Sequence, residues 1–439
     1  MTAYYIEVLD SLKLVDIYVE CARSASKSGS SDIQLVGTTE LRISSGSVIS
    51  LPVTVSPRAA ARSSFEDSDS GPDANSWIRI RVPIALDCMK ARLEQASQLI
   101  TSIEKPITAS AIQGLSDIAC QSCSSSLLAN TTGAADRDTL RIRDLPSAFW
   151  SELVDCWVCH PEKDTVNVNA DLLHAFEPKV AVTTDSTQDS TRKPEPSTET
   201  KLSVDMWVGD TYVLATEDLF KDLPKTPVHM DTKVLSIVVY VAYANMNTYS
   251  VASLIGRFYS SYTELCCDSC SNVVGEVGRM GSREMAKLCL SRVQFVLPSP
   301  SRSAISVSLS QAVSREILSH VGAHAVYRFV IEGRKACQPV ALINIVGWNA
   351  EIRARAMSST QPDNLPDISG RYIKILFTQK DSSTFDTQAS QWLDDNATEL
   401  ISLLDADADS LLRILAENAQ LLPPPLRGMA NMTRSFLRM

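Results

Sequence analysis

Two Cys-x-x-Cys pairs, Cys120-Gln-Ser-Cys123 and Cys267-Asp-Ser-Cys270, stand far apart in the chain. Thiolates two residues apart on a tight turn can face one ion, and two such turns complete a tetrahedral four-thiolate site. If both pairs serve one site, the fold is forced to close a long loop between them. The reading is one structural zinc per chain, held by Cys120, Cys123, Cys267 and Cys270 and clipping an N-terminal to a C-terminal half. Unmetallated buried thiols, or a different quartet, are the alternatives. The eight Cys/His ligands of a RING-type module are not present at the required spacing.

A third pair, Cys156-Trp-Val-Cys159, is followed by His160 and competes for the second turn. Its context disfavours it. Pro146-Ser147 reads as a helix start, and Trp150, Val154 and Trp157 then fall at i, i+4 and i+7 on one buried face. Cys156 would sit in mid-helix, where no such turn is available. Cys120 and Cys267 lie in short polar segments suited to turns, and Gly275 permits a chain reversal. Cys159 follows the last turn of the tryptophan helix, which Pro161 closes. Near a helix C-terminus a thiolate is disfavoured by the dipole. Nucleophile, exposed ligand and structural thiol all remain open for it.

Eleven cysteines in a reducing compartment read as ligands, reactive thiols or core residues, not disulfides. A cytosolic or nuclear setting is the expectation, because Glu7 and Asp10 precede the first lysine and no leader pattern is present. The longest apolar stretch, Val234 to Ala244, falls far short of the roughly 20 residues that span a bilayer. With 41 basic and 51 acidic residues the net charge is −10 and the pI near 5.1. That balance argues against direct nucleic-acid binding, which needs a basic surface.

Short segments rich in β-branched and aromatic residues dominate: Ile33 to Val36, Trp77 to Val82, Trp207 to Leu214, Val234 to Ala244, Val326 to Ile331, Pro339 to Trp348 and Tyr372 to Phe377. They predict an α+β fold, predominantly antiparallel β. Residues 56–76 and 183–200, rich in Ser, Thr, Asp and Pro, read as unstructured. The first is a loop inserted in a β-rich half over 1–182, and the second a linker to an α+β half over 201–439. Leu393, Ala397, Leu400, Leu404, Ala408, Leu411 and Leu415 trace one helical stripe, so a long C-terminal helix is expected over about 388–421.

Other catalytic patterns are weak. No Gly-rich phosphate loop, His-Glu-x-x-His or Gly-x-Ser-x-Gly elbow is present. His320 and His324 stand at i, i+4 without a carboxylate at the expected spacing, and read as surface or core histidines. Gly209-Asp210 reads as a hairpin turn.

The block Leu145-Pro146-Ser147-x-x-Trp150-x-Glu152-Leu153-Val154-x-x-Trp157-x-Cys159-His160, preceded by Cys120-x-x-Cys123, resembles the HECT-like ubiquitin-conjugating-enzyme-binding family. Trp207-x-Gly209-Asp210-x-x-x-Leu214 and Cys267-x-x-Cys270-x-x-x-x-Gly275 are similar to later blocks of that family. The resemblance implies a ubiquitin-conjugating enzyme as partner, and a ubiquitin-protein ligase activity has been proposed for the family. It also implies a second partner, the metallo-β-lactamase-type endonuclease of pre-mRNA 3′-end processing, held inactive in nucleus and cytoplasm. Carried onto this chain, Cys159 and His160 would contact the partner's metals, with Trp150 and Trp157 supporting their helix. Against catalysis, a HECT ligase carries its acceptor cysteine near the chain end. The last cysteine here, Cys337, lies well before it and reads as a buried strand-edge thiol.

Overall fold

Side chains alternate strictly along Tyr4–Leu9 and Leu14–Cys21, and this period of two organises the larger of two compact units. The computed structural model describes residues 3–21, 33–43, 47–56, 61–66, 76–99, 107–129, 140–145, 204–220, 223–229, 261–280, 283–298, 304–335, 337–355, 367–380 and 384–439. One unit joins Met1–Glu104 to Leu309–Met439, and the other is Lys105–Ser308. The two ends of the chain therefore share a fold, because Tyr4–Leu9 pairs antiparallel with Gln338–Arg355 on one side and Leu14–Cys21 on the other. The linker expected at 183–200 lies outside the described residues. So does the strand expected at Val234 to Ala244.

In the first unit a ten-stranded sheet runs from Gly428–Met429 and Met432–Arg438 through Ile368–Gln379, Gln338–Arg355, Tyr4–Leu9 and Leu14–Cys21 to Ser76–Pro83 and Ala61–Glu66. Arg328–Gly333 and Thr398–Leu403 branch from Gln338–Arg355. On one face Ile6, Val8, Val15, Ile17, Val19 and Ile80 pack with Ile33, Leu41 and Ile49 of a small three-stranded sheet. On the other, Tyr5, Tyr18, Trp77, Ile352 and Phe436 form a second cluster. Glu7 and Asp16 sit directly opposite one another on that second face, where like charges repel. Cations on neighbouring strands answer both. Lys374 pairs with Glu7, which also accepts from the Tyr5 hydroxyl at 3.1 Å, while Arg79 and Arg81 bracket Asp16.

The segment 56–76, expected as a loop, instead contains the edge strand Ala61–Glu66, in register with Ser76–Pro83. Backbone pairing to an existing strand needs little apolar side chain, so a polar composition does not exclude it. The single long C-terminal helix is also corrected. Helix α1 (Leu86–Leu99) and helix α2 (Leu309–His324) are followed by helix α3 (Phe385–Leu393), the strand Thr398–Leu403 and helix α4 (Asp405–Gln420). The stripe splits accordingly. Leu404, Ala408, Leu411 and Leu415 are at most 6% exposed, whereas Leu393 and Leu400 are 42% and 41% exposed. Tertiary pairing decides this, since Thr398–Leu403 lies parallel to Arg328–Gly333 and buries Ile401 instead. Helices α2 and α4 cover the sheet through Val313, Ile317, Leu411 and Leu415, and α3 buries Phe385 against Val330 and Leu342. No helix among the described residues is long and apolar enough to cross a membrane.

The second unit carries a seven-stranded sheet in the order Lys225–His229, Ser261–Cys266, Val273–Met280, Arg283–Cys289, Tyr212–Thr216, Val204–Val208 and Leu140–Asp144. Every neighbour pair in it is antiparallel except the last. Gly209 and Asp210 form the expected turn, with the Gly209 N–H donating to the Tyr212 carbonyl at 2.8 Å. A three-stranded sheet joins Ala304–Ser306, Val293–Val296 and Asp117–Cys120.

The split stripe makes a direct prediction. Leu411→Ala should lower unfolding free energy by about 2–5 kcal/mol, as for a buried leucine, and Leu400→Ala by no more than about 0.5 kcal/mol. Chemical denaturation of the two variants separates this arrangement from one continuous helix, in which both would cost alike.

Candidate metal centre

Asp117–Cys120 ends in a turn that returns the chain beside itself. The Cys120 N–H donates to the Ser125 carbonyl at 2.8 Å, and the Ser124 N–H donates to the Cys120 carbonyl at 2.8 Å. The second turn repeats this pattern. The Cys267 N–H donates to the Asn272 carbonyl at 2.8 Å and the Ser271 N–H to the Cys267 carbonyl at 2.9 Å. Ser124 and Ser271, each four residues after the first cysteine, adopt φ of 60° and 59°. This left-handed conformation tightens the turn and costs an L-residue about 1–2 kcal/mol. Both turns share the sequence Cys-x-Ser-Cys-Ser, a repeat that signals matched geometry. The Ser269 hydroxyl bonds the Ser125 hydroxyl at 2.8 Å and ties one turn to the other.

The thiols converge across the two turns. Cys120 Sγ lies 3.7 Å from Cys270 Sγ, and Cys123 Sγ 3.6 Å from Cys267 Sγ. All four sulfurs fall within 4.8 Å of one another. A tetrahedral ion with metal–sulfur bonds of about 2.3 Å would place its sulfurs about 3.8 Å apart, so the cage fits. Four cysteines that can hold a metal ion are thus assembled. Cys120 and Cys267 are buried, Cys270 is half-buried and Cys123 is exposed, which leaves an entry path. Burial pushes the Cys267 thiol up, whereas the backbone N–H of Asn272 pulls the Cys270 thiol down. Gathering thiols this closely disfavours ionising them together unless a cation compensates.

All four cysteines belong to the Lys105–Ser308 unit. The cage therefore joins two segments of one unit. Gly275 has a different task from chain reversal. It lies within the strand Val273–Met280, and a Cβ there would meet the Lys287 carbonyl oxygen at 2.2 Å. Only glycine lets the two strands approach so closely.

Trp150, Cys156, Trp157, Cys159 and His160 lie outside the described residues. Cys337 is half-buried just before Gln338–Arg355, with φ of 45° and its thiol donating to the Arg334 carbonyl at 3.2 Å. Burial, with Glu332 and Asp405 nearby, raises its pKa and suppresses the thiolate. His320 and His324 do have a carboxylate, supplied by Glu399, which sequence spacing could not reveal. Burial, and the neighbouring His324, hold His320 down to about 4.

The cage separates two adjacent thiols. Cys267→Ser should reduce bound metal by one equivalent per chain and lower Tm, whereas Cys266→Ser, one residue away and outside the cage, should keep the metal. Elemental analysis and thermal melts of both variants provide the check, and equal metal content in the two would refute the assignment.

Comparison with curated proteins and with solved structures gives no match. A family model described as HECT-like ubiquitin-conjugating enzyme (E2)-binding matches residues 7–433, spanning both compact units and all four cage cysteines. The chain therefore belongs to the HECT-like ubiquitin-conjugating enzyme (E2)-binding family.

Proposed function

We propose that this protein is a non-covalent binding protein. It engages a ubiquitin-conjugating enzyme and holds inactive the metallo-β-lactamase-type endonuclease of pre-mRNA 3′-end processing, in nucleus and cytoplasm. The observation that carries the first partner is the family match over 7–433. The second partner rests on the resemblance of the Trp150 to His160 block. The ion in the cysteine cage is zinc, because four thiolates in a tetrahedron suit a closed structural zinc site. Its role is to fix the two turns, not to activate water, since no coordination position is left open.

The environment of Cys337 favours binding over covalent transfer. An acceptor cysteine needs an accessible thiolate, and this thiol is half-buried with its ionisation suppressed. Incubated with a ubiquitin-charged conjugating enzyme, the protein should form a complex on size exclusion but no reductant-sensitive ubiquitin adduct. A thioester that disappears in Cys337→Ser would establish the ligase reading instead.

For the nuclease, the chemistry lies in Cys159. A soft sulfur ligand presented to a two-zinc site displaces the bridging water that hydrolysis needs. Binding to metal also deprotonates the thiol. Cleavage by purified endonuclease should be suppressed by the wild-type protein and restored by about tenfold or more with Cys159→Ala, the scale of losing one metal-directed contact, while zinc content is unchanged. Equal inhibition by both proteins would remove Cys159 from this role.

A further inference from the structure

Helix α2 carries His320 and His324 one turn apart, so both rings rise from the same face. The strand Thr398–Leu403 runs parallel to Arg328–Gly333, and its register sets Glu399 beside Phe329. From there the carboxylate reaches both imidazoles. Its Oε1 lies 2.7 Å from His324 Nδ1 and its Oε2 lies 3.7 Å from His320 Nδ1. The ring centroids are 5.8 Å apart and inclined at 69°, and Phe329 packs edge-on against His320 at 6.0 Å.

Donor type and spacing both match a metal. An imidazole pair at i, i+4 with one carboxylate from another element is a set suited to zinc-class divalent ions. Bonds of about 2.0–2.1 Å in a tetrahedron place donor atoms about 3.3 Å apart. The observed 2.7 and 3.7 Å bracket that value, and all three donor atoms fall within 4.8 Å of one another. Closing on an ion draws the three donor atoms toward this common spacing. The supporting frame is rigid, because Ile317, Leu318, Phe329 and Ile401 around the site are at most 3% exposed. The three side chains themselves keep 14%, 24% and 30% exposure, so an ion can enter from solvent.

We propose that His320, His324 and Glu399 form a second metal site, for a zinc-class divalent cation, with a fourth position open to water or to a donor from a partner. Three protein ligands and one open position distinguish it from the closed thiolate cage. Nitrogen and oxygen donors replace sulfur, so the ion here is held less tightly and exchanges. Loading it replaces the His324–Glu399 contact with two bonds to one cation, and fastens the end of α2 to the strand Thr398–Leu403.

The test uses the full-length chain equilibrated with excess zinc, then with cobalt. Wild type should bind one equivalent more than His324→Gln and more than Glu399→Gln. Glu399→Gln retains a hydrogen-bond acceptor for His324 and so separates lost metal from lost folding. Cobalt filling that extra equivalent should show weak d–d absorption without the intense sulfur-to-cobalt band of the cage. Zinc should also raise the Tm of wild type in a step that Glu399→Gln lacks. Equal stoichiometry in wild type and both variants, or a sulfur band growing with the extra equivalent, overturns the proposal. Equal stoichiometry in all three proteins leaves the four-cysteine cage and partner binding untouched.

Discussion

Two matched turns, 144 residues apart from Cys123 to Cys267, must meet for the Lys105–Ser308 unit to close. Everything near them serves that meeting. Asp117–Cys120 is fixed by pairing with Val293–Val296, and Ser261–Cys266 by pairing with Val273–Met280, so each turn projects from the end of a paired strand. Left-handed backbone at Ser124 and Ser271 aims two sulfurs from each turn at a common point. Four thiols at such separations conflict electrostatically once ionised, and a divalent cation turns that conflict into bonds. An ion held by these four sulfurs would add its binding free energy to the folding free energy of this unit.

The same logic of paired charges recurs inside the first unit. Glu7 and Asp16 face one another across adjacent strands in a largely buried setting, which is tolerable only because Lys374, Arg79 and Arg81 are brought beside them. Arg92 acts likewise at the sheet margin, linking Asp10 at 2.7 Å and Glu351 at 2.6 Å. Lys374–Glu7 and Arg92–Glu351 join residues from the beginning of the chain to residues beyond 350. They reinforce the strand pairing between Tyr4–Leu9 and Gln338–Arg355 that makes the two ends one unit.

Much of this was legible in the sequence, and the exceptions have physical causes. Tyr372 to Phe377 and Trp77 to Val82 were readable as strands because alternation is a local property. Cys120, Cys123, Cys267 and Cys270 are readable as a set because ligand chemistry restricts spacing. The segment from Thr398 to Leu403 departs from the expected helix, because spacings of three and four also occur in a strand bordered by turns. What decided it was a parallel partner, Arg328–Gly333, far away in sequence. Ala61–Glu66 escapes for another reason: backbone pairing with the neighbouring Ser76–Pro83 tolerates a polar composition. Glu399 could not have been assigned to His320 and His324, since strand register alone brings them together.

Zinc K-edge X-ray absorption on purified Glu399→Gln, which removes one ligand of the proposed histidine site, tests whether a closed thiolate cage organises the Lys105–Ser308 unit. The account predicts a first shell of four sulfur scatterers at about 2.3 Å. A first shell dominated by nitrogen or oxygen at about 2.0 Å, or protein that is folded and free of zinc, would contradict it.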